Sequence, residues 1–292
     1  MKRRVNKNKR RKSPWFLALV FLLGLAIASY PLISQYYYRI QSNEEIAKFN
    51  KSISDIPSEK LAERLHLAQA FNSTLKPSEL RDPFSAEEKE AGVTEYGKML
   101  VIQERLGYVE IPKIDEAIPM YVGTSSDILE RGAGLLEGTS LPVGGESTHT
   151  VITAHRGLPN AKLFTDLNKL KKGDIFYIHV LDQVLAYKVD QILTVEPTNF
   201  EPVLIEKGKD YATLLTCTPY MINSHRLLVR GIRVPYTAPI KELSIELREA
   251  RQQYMILLVV SVVIILVLLY LVYRTRKAVQ TITKELEGYH EE

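Results

Sequence analysis

A single cysteine, Cys217, stands in a chain of 292 residues, which excludes an intramolecular disulfide framework. Its sulfur is a free thiol or half of an intermolecular link. No cluster of His, Cys, Asp and Glu shows metal-ligand spacing, so no metal and no cofactor are expected. The chain shows neither internal repeats nor a low-complexity tract. Charge is missing altogether from two stretches, "PWFLALVFLLGLAIASYPLI" (14–33) and "MILLVVSVVIILVLLYLVY" (255–273).

Those two stretches organise the rest. The second is long enough for roughly 30 Å of hydrocarbon and apolar on every face, which predicts a transmembrane helix. The first follows eight Lys/Arg in "KRRVNKNKRRK" (2–12). It fits an uncleaved anchor, and with "AIAS" (26–29) as an Ala-x-Ala site it also fits a secretory signal. Either way the basic flanks stay in the cytoplasm and residues 34–253 are exported. The formal charge of +4 comes from the ends: eight of 38 Lys/Arg precede the first run and four follow the second, while four of 34 Asp/Glu lie in the tail. Twenty-six basic and thirty acidic residues remain outside, about −4, which leaves no nucleic-acid footprint.

Between the runs, residues 42–73 read as two short helices broken at Pro57. Ser42 with Glu45 forms a capping box for the first, which lines up Ile46, Phe49 and Ile53; the second (58–71) lines up Leu61, Leu65 and Ala68. "KPSELRDPFSAEEKEAG" (76–92) has two prolines and no period, and reads as a loop. Then come short Ile/Val/Leu/Tyr-rich runs: "GYVEIP", "AIPMYVG", "HTVITA", "IFYIHV", "LAYKVDQILTV", "ATLLTC" and "RLLVRGIRV". Seven or eight strands over about 130 residues predict a mainly β domain, a closed or nearly closed barrel. "AKLFTDLNKL" (161–170) reads as a helical turn or short helix.

Cys217 ends one strand-like run, and Arg226 opens the next, nine residues on. Paired as a hairpin, the two would share one rim, where a guanidinium favours a thiolate and offers N–H donors to an oxyanion. A thiol also needs a base. His290 lies in the tail and His66 on the helical arm; His225 faces away from its neighbour Arg226, and His179 sits within a strand. His155, at the end of "HTVITA" before a glycine loop, is favoured over His149 at the strand's start. Singly, each of these residue types is ordinary. Their joint placement at strand ends points to catalysis, yet the residues alone leave an inert thiol equally open.

"TLLTC" (213–217) resembles the Thr-Leu-x-Thr-Cys signature of sortases, membrane-bound cysteine transpeptidases of Gram-positive surfaces. "HRLLVRG" matches that family's arginine, and "VITAHRGLPNAKLF" its histidine region; the similarity runs from about Tyr108 to Val234. The second apolar run and "RDPF" (81–84) resemble class C, the pilin-polymerising sortases, whose Asp-Pro-aromatic lid covers the active site. The resemblance implies a sortase-like closed barrel of about eight strands with Cys217, His155 and Arg226 catalytic. It also implies a lid of Asp82, Pro83 and Phe84, with Asp82 paired to Arg226 and Phe84 against Cys217. Thr216 is a candidate substrate contact or a plain strand residue.

The implied layout is a basic segment (1–13), an anchor or signal (14–33), a helical arm (34–75) and a lid-bearing loop (76–98). The catalytic barrel (99–236), a linker (237–254), a membrane helix (255–273) and a tail (274–292) follow. The implied partners are pilin subunits carrying an LPxTG-like sorting signal and an acceptor lysine, and the membrane. The alternatives are a housekeeping-type sortase that joins surface proteins to the cell wall and a non-catalytic assembly scaffold.

Overall fold

The computed structural model describes residues 14–75, Phe84, 100–237 and 243–288. The chain divides into two units, Tyr30–Ala238 and Met1–Ser29 with Pro239–Glu292. The first holds the barrel. Its strands are β1 (Gly107–Ile111), β2 (Glu116–Val122), β3 (Ala133–Leu135), β4 (Thr148–Thr153), β5 (Ile175–Val180), β6 (Gln183–Val195), β7 (Asp210–Thr218) and β8 (His225–Val234). They close in the order β1-β2-β3-β4-β7-β8-β6-β5, so no edge is left open. Most neighbours are antiparallel; β2/β3 and β4/β7 run parallel.

Alternation splits the side chains of β4 and β7 between two apolar clusters. Ile152, Ala154 and Leu214 join the main core with Phe176, Tyr187 and Val229. Val151 and Leu215 point the other way and join a smaller cluster with Leu136, Val203 and Leu228. That second cluster is the floor of the site described below.

Helix α1 runs unbroken from Pro14 to Ser54, and α2 from Ser58 to Thr74. The expected break at Pro57 is present, but the helix start expected at Ser42 is absent. Ser42 lies mid-helix and buried, and its hydroxyl donates to Ala117 O at 3.0 Å. Serine's capping preference is outweighed here because the upstream apolar run already starts the helix, and the small side chain lets α1 approach β2 closely. The docking stripe follows helical spacing. The Tyr38 hydroxyl donates to Arg131 O (2.9 Å), and Glu45 accepts from Tyr121 (2.6 Å) and Arg105 (3.3 Å). Phe49 meets Tyr108 edge-on. On α2, Leu61 and Ala68 are buried, and Asn72 bonds both the carbonyl (3.0 Å) and the N–H (2.8 Å) of Leu141.

Strand β3, only Ala-Gly-Leu, has no counterpart among the expected runs. It exists because the backbones nearly touch: a Cβ on Gly134 would stand 2.2 Å from Gly123 O. Residues 161–170 hold turns and a single 3₁₀ turn, Leu167–Lys169. A short helix, α3 (Ser126–Arg131), precedes β3, and in the other unit the apolar run 255–273 falls inside helix α4 (Leu243–Gly288). Among the described residues one stretch, Leu19–Ser54, is long and apolar enough to cross a membrane.

Candidate active site

Cys217 is placed by β7 and Arg226 by β8, and the antiparallel register sets them directly opposite one another. Directly opposed residues point to the same face, with Cβ atoms roughly 5 Å apart. Arg226 is also opposite Val195 of β6, so three strands meet at this rim. Both side chains are largely buried, Cys217 at 6% and Arg226 at 7% exposure. The guanidinium is held by the loop that joins the strands and by the first residue of β8: Nη1 donates to Asn223 O at 2.9 Å and to His225 O at 3.0 Å. The hairpin expected from the nine-residue spacing is therefore present.

His155 reaches the same rim from the other flank of β7. The parallel ladder pairs Thr153 with Leu215. Beyond it Ala154 N donates to Leu215 O (3.2 Å), and the Thr216 hydroxyl donates to Ala154 O (2.7 Å). His155 and Cys217 are the next residues along these two tied chains. The loop after His155 is fixed by the Phe164 N–H to His155 O bond (3.2 Å) and by Arg156. Arg156 donates to Thr165 O (3.1 Å) and to the Thr218 hydroxyl (2.9 Å), joining the histidine loop to the residue after the cysteine. Sequence reasoning passed over Arg156, although it directly follows the histidine in "AHRG".

Phe84 lies over this assembly. Its ring centroid is 5.4 Å from that of His155, and the Arg226 guanidinium carbon stands 5.2 Å from the Phe84 centroid. Below, the ring packs on the smaller apolar cluster with Leu193, Val195 and Phe200. An aromatic ring thus touches two of the three expected catalytic side chains. Asp82 and Pro83 lie outside the described residues. Thr216 is fully buried, and alternation turns it to the main-core side, away from the face of Cys217.

Three other histidines, His149, His179 and His225, are held elsewhere. His149, at the opposite end of β4, is wholly buried. Its Nδ1 lies 2.9 Å from Leu204 O, which can only accept, so Nδ1 carries the proton and Nε2 accepts from the Thr213 hydroxyl at 2.7 Å. Burial pulls its pKa down to about 4, and the nearby Arg230 charge adds to the shift. His179 pairs with Glu110 (2.8 Å) and stacks on Tyr108; His225 pairs with Glu196 (3.1 Å). Among the described residues no group of three His, Cys, Asp or Glu is placed to hold a metal.

Chemically, the rim offers a nucleophilic sulfur, a fork of N–H donors and an imidazole for proton transfer, over an apolar groove. The family model described as "Sortase domain" matches residues 109–234. Sortase A of Staphylococcus aureus is 34% identical over 122 residues, 39% of this chain and 55% of that protein. The chain thus spans little more than half the length of such curated relatives. Among solved structures, Sortase C of Streptococcus pneumoniae is 70% identical with a TM-score of 0.63, covering 68% of this chain and all of that one. A pilus-related Sortase C of Group B Streptococcus is 50% identical with a TM-score of 0.62, covering 64% and 96%.

Proposed function

Because the chain belongs to the sortase family of cysteine transpeptidases, in its class C, we propose that it polymerises pilins. It would cleave an LPxTG-like sorting signal between Thr and Gly and pass the acyl group to a pilin lysine. The observation that carries this reading is the meeting of Cys217, Arg226 and the His155 loop at one rim beneath Phe84.

With the thiol proton taken up by His155, the Cys217 sulfur attacks the Thr–Gly carbonyl, and the guanidinium of Arg226, pre-set by the carbonyls of Asn223 and His225, steadies the oxyanion. His155 gives a proton to the departing glycine amine as the C–N bond breaks, leaving a thioester. A lysine amine then attacks that carbonyl and loses its proton to His155, the sulfur leaves, and an isopeptide bond results. Thr216 and Arg156 act as positioning residues that tie the chains bearing Cys217 and His155. Phe84, with Asp82 and Pro83, forms a lid that must leave before the groove can take a peptide.

The exposed apolar side chains of Leu19, Phe21, Leu23 and Ile27 on α1, and of Leu258, Leu266 and Leu269 on α4, support membrane contact at both ends. In this reading the barrel is extracytoplasmic and both termini are cytoplasmic. The similarity to Sortase A favours a second reading, transfer to a cell-wall peptide, in which the chemistry is the same and only the amine differs. Incubating the detergent-solubilised chain with a pilin bearing a sorting signal separates the two. Covalent pilin ladders, lost in Cys217→Ala, are the expected result. Thioester formation discharged only by a cell-wall peptide would favour the second reading, and no adduct at all would leave a scaffold.

A further inference from the structure

Thr153 closes strand β4 two residues before His155, and the proposed mechanism gives it no task. Its side chain is completely buried, and its hydroxyl oxygen has no hydrogen-bond partner among the described residues. A buried hydroxyl without a partner is unfavourable, and buried polar groups are nearly always paired. The other threonines of this sheet region follow that rule. Thr150 donates to Ser140 O and Leu141 O, Thr213 bonds His149, and Thr216 bonds Ala154 O. Thr153 is the exception, and it is the one beside the proposed site.

Its direction follows from the strand. Ile152 and Ala154 face the main core, whereas Val151 faces the smaller cluster with Leu215 and Leu228. Thr153 shares the face of Val151, and it is paired in the parallel ladder with Leu215, which shares the face of Cys217. The hydroxyl therefore points to the groove floor on which Phe84 packs. In the closed arrangement the lid aromatic and the apolar floor offer it nothing to bond. A peptide that replaces Phe84 brings backbone N–H and C=O groups to this floor.

We propose that Thr153 is a substrate-binding residue whose hydroxyl hydrogen-bonds the backbone of the acyl-donor peptide just ahead of the carbonyl attacked by Cys217. The inference rests on the transpeptidase reading above. The lid keeps the hydroxyl unpaired in the resting enzyme, and the donor peptide satisfies it. Thr153 thereby favours the peptide-bound state over the closed one without contacting the reacting atoms, and a peptide lacking a well-placed backbone group gains nothing from it.

The test uses the full chain in detergent, carrying Phe84→Ala so that lid position does not enter the rates, with Thr153→Val and Thr153→Ser added separately. The probe is a synthetic LPxTG-type peptide. Three quantities are read: the rate of thioester formation on Cys217 by intact mass, the rate of Cys217 alkylation by a small thiol reagent, and the Tm. The expected result is that Thr153→Val slows thioester formation about tenfold or more, because a peptide group is then buried unpaired. Alkylation should stay unchanged and Tm should hold or rise, while Thr153→Ser recovers most of the acylation rate. Acylation by Thr153→Val at the parent rate would overturn the inference. So would a parallel loss of alkylation, or unfolding, since either makes the hydroxyl a structural element. Absence of any thioester in the parent itself would instead sink the transpeptidase reading, and this inference with it.

Discussion

His149 and His155 flank one strand, yet their surroundings differ. His149 is wholly buried and doubly bonded, whereas His155 sits at the rim against Phe84. His155→Ala should reduce turnover by about two to four orders of magnitude with little change in unfolding midpoint. His149→Ala should leave the turnover of folded protein close to wild type and cost roughly 2–4 kcal/mol of stability, since Leu204 O and Thr213 lose their partner. Steady-state kinetics beside denaturant unfolding checks both. Glu116 gives a pH signature of its own. Burial pushes its carboxyl up from 4.5 to about 7 despite Lys162 at 3.3 Å. A carboxyl raised in the folded state stabilises fully below its unfolded value, and that contribution is lost as pH rises through 7. Glu116→Gln removes the loss, so its stability relative to wild type should grow by about 3 kcal/mol between pH 4.5 and 7; a flat difference would contradict the assignment. At this scale the sequence was informative where chemistry follows chain position. Cys217 and Arg226 are nine residues apart around one hairpin, and the two histidines lie at opposite ends of one strand. Thr153 could not be read from sequence, because its interest lies in the lack of a partner, which only packing reveals.

Secondary-structure elements divide along the same physical line. Seven strands carried β-branched and aromatic runs strong enough to be seen. Strand β3 carries none: it is held by its neighbours on both sides, and its glycine serves a close backbone approach instead of any propensity. The arm shows the converse. Phe49, Leu61 and Ala68 are buried where the helical period puts them, but Ser42 proved to be a mid-helix contact and not a cap. Attachment of α2 depends on Asn72, whose side-chain amide satisfies both backbone groups of Leu141. Asn72→Ala leaves the buried Leu141 N–H unpaired, while the Leu141 carbonyl keeps the Thr150 hydroxyl, and should lower stability by about 2 kcal/mol, measured by equilibrium unfolding. A loss below about 1 kcal/mol would mean that water replaces the amide without difficulty.

Across the whole molecule, the closed barrel explains how distant segments of sequence form one rim. Strands β4, β7 and β8 lie side by side although some sixty residues separate the first from the second. Phe84, far upstream in the sequence, completes the cover. The sequence alone supplied the cysteine, the arginine and a favoured histidine, but not the apolar floor, because a floor is assembled from alternate residues of several strands. The central claim is that Cys217 carries the acyl group, and intact-mass analysis of the full chain after incubation with a sorting-signal peptide tests it most directly. The account predicts a single adduct of the peptide's acyl portion, mapped to Cys217, released by hydroxylamine, and formed faster in Phe84→Ala. No adduct, an adduct on another residue, or one that survives Cys217→Ala would contradict it.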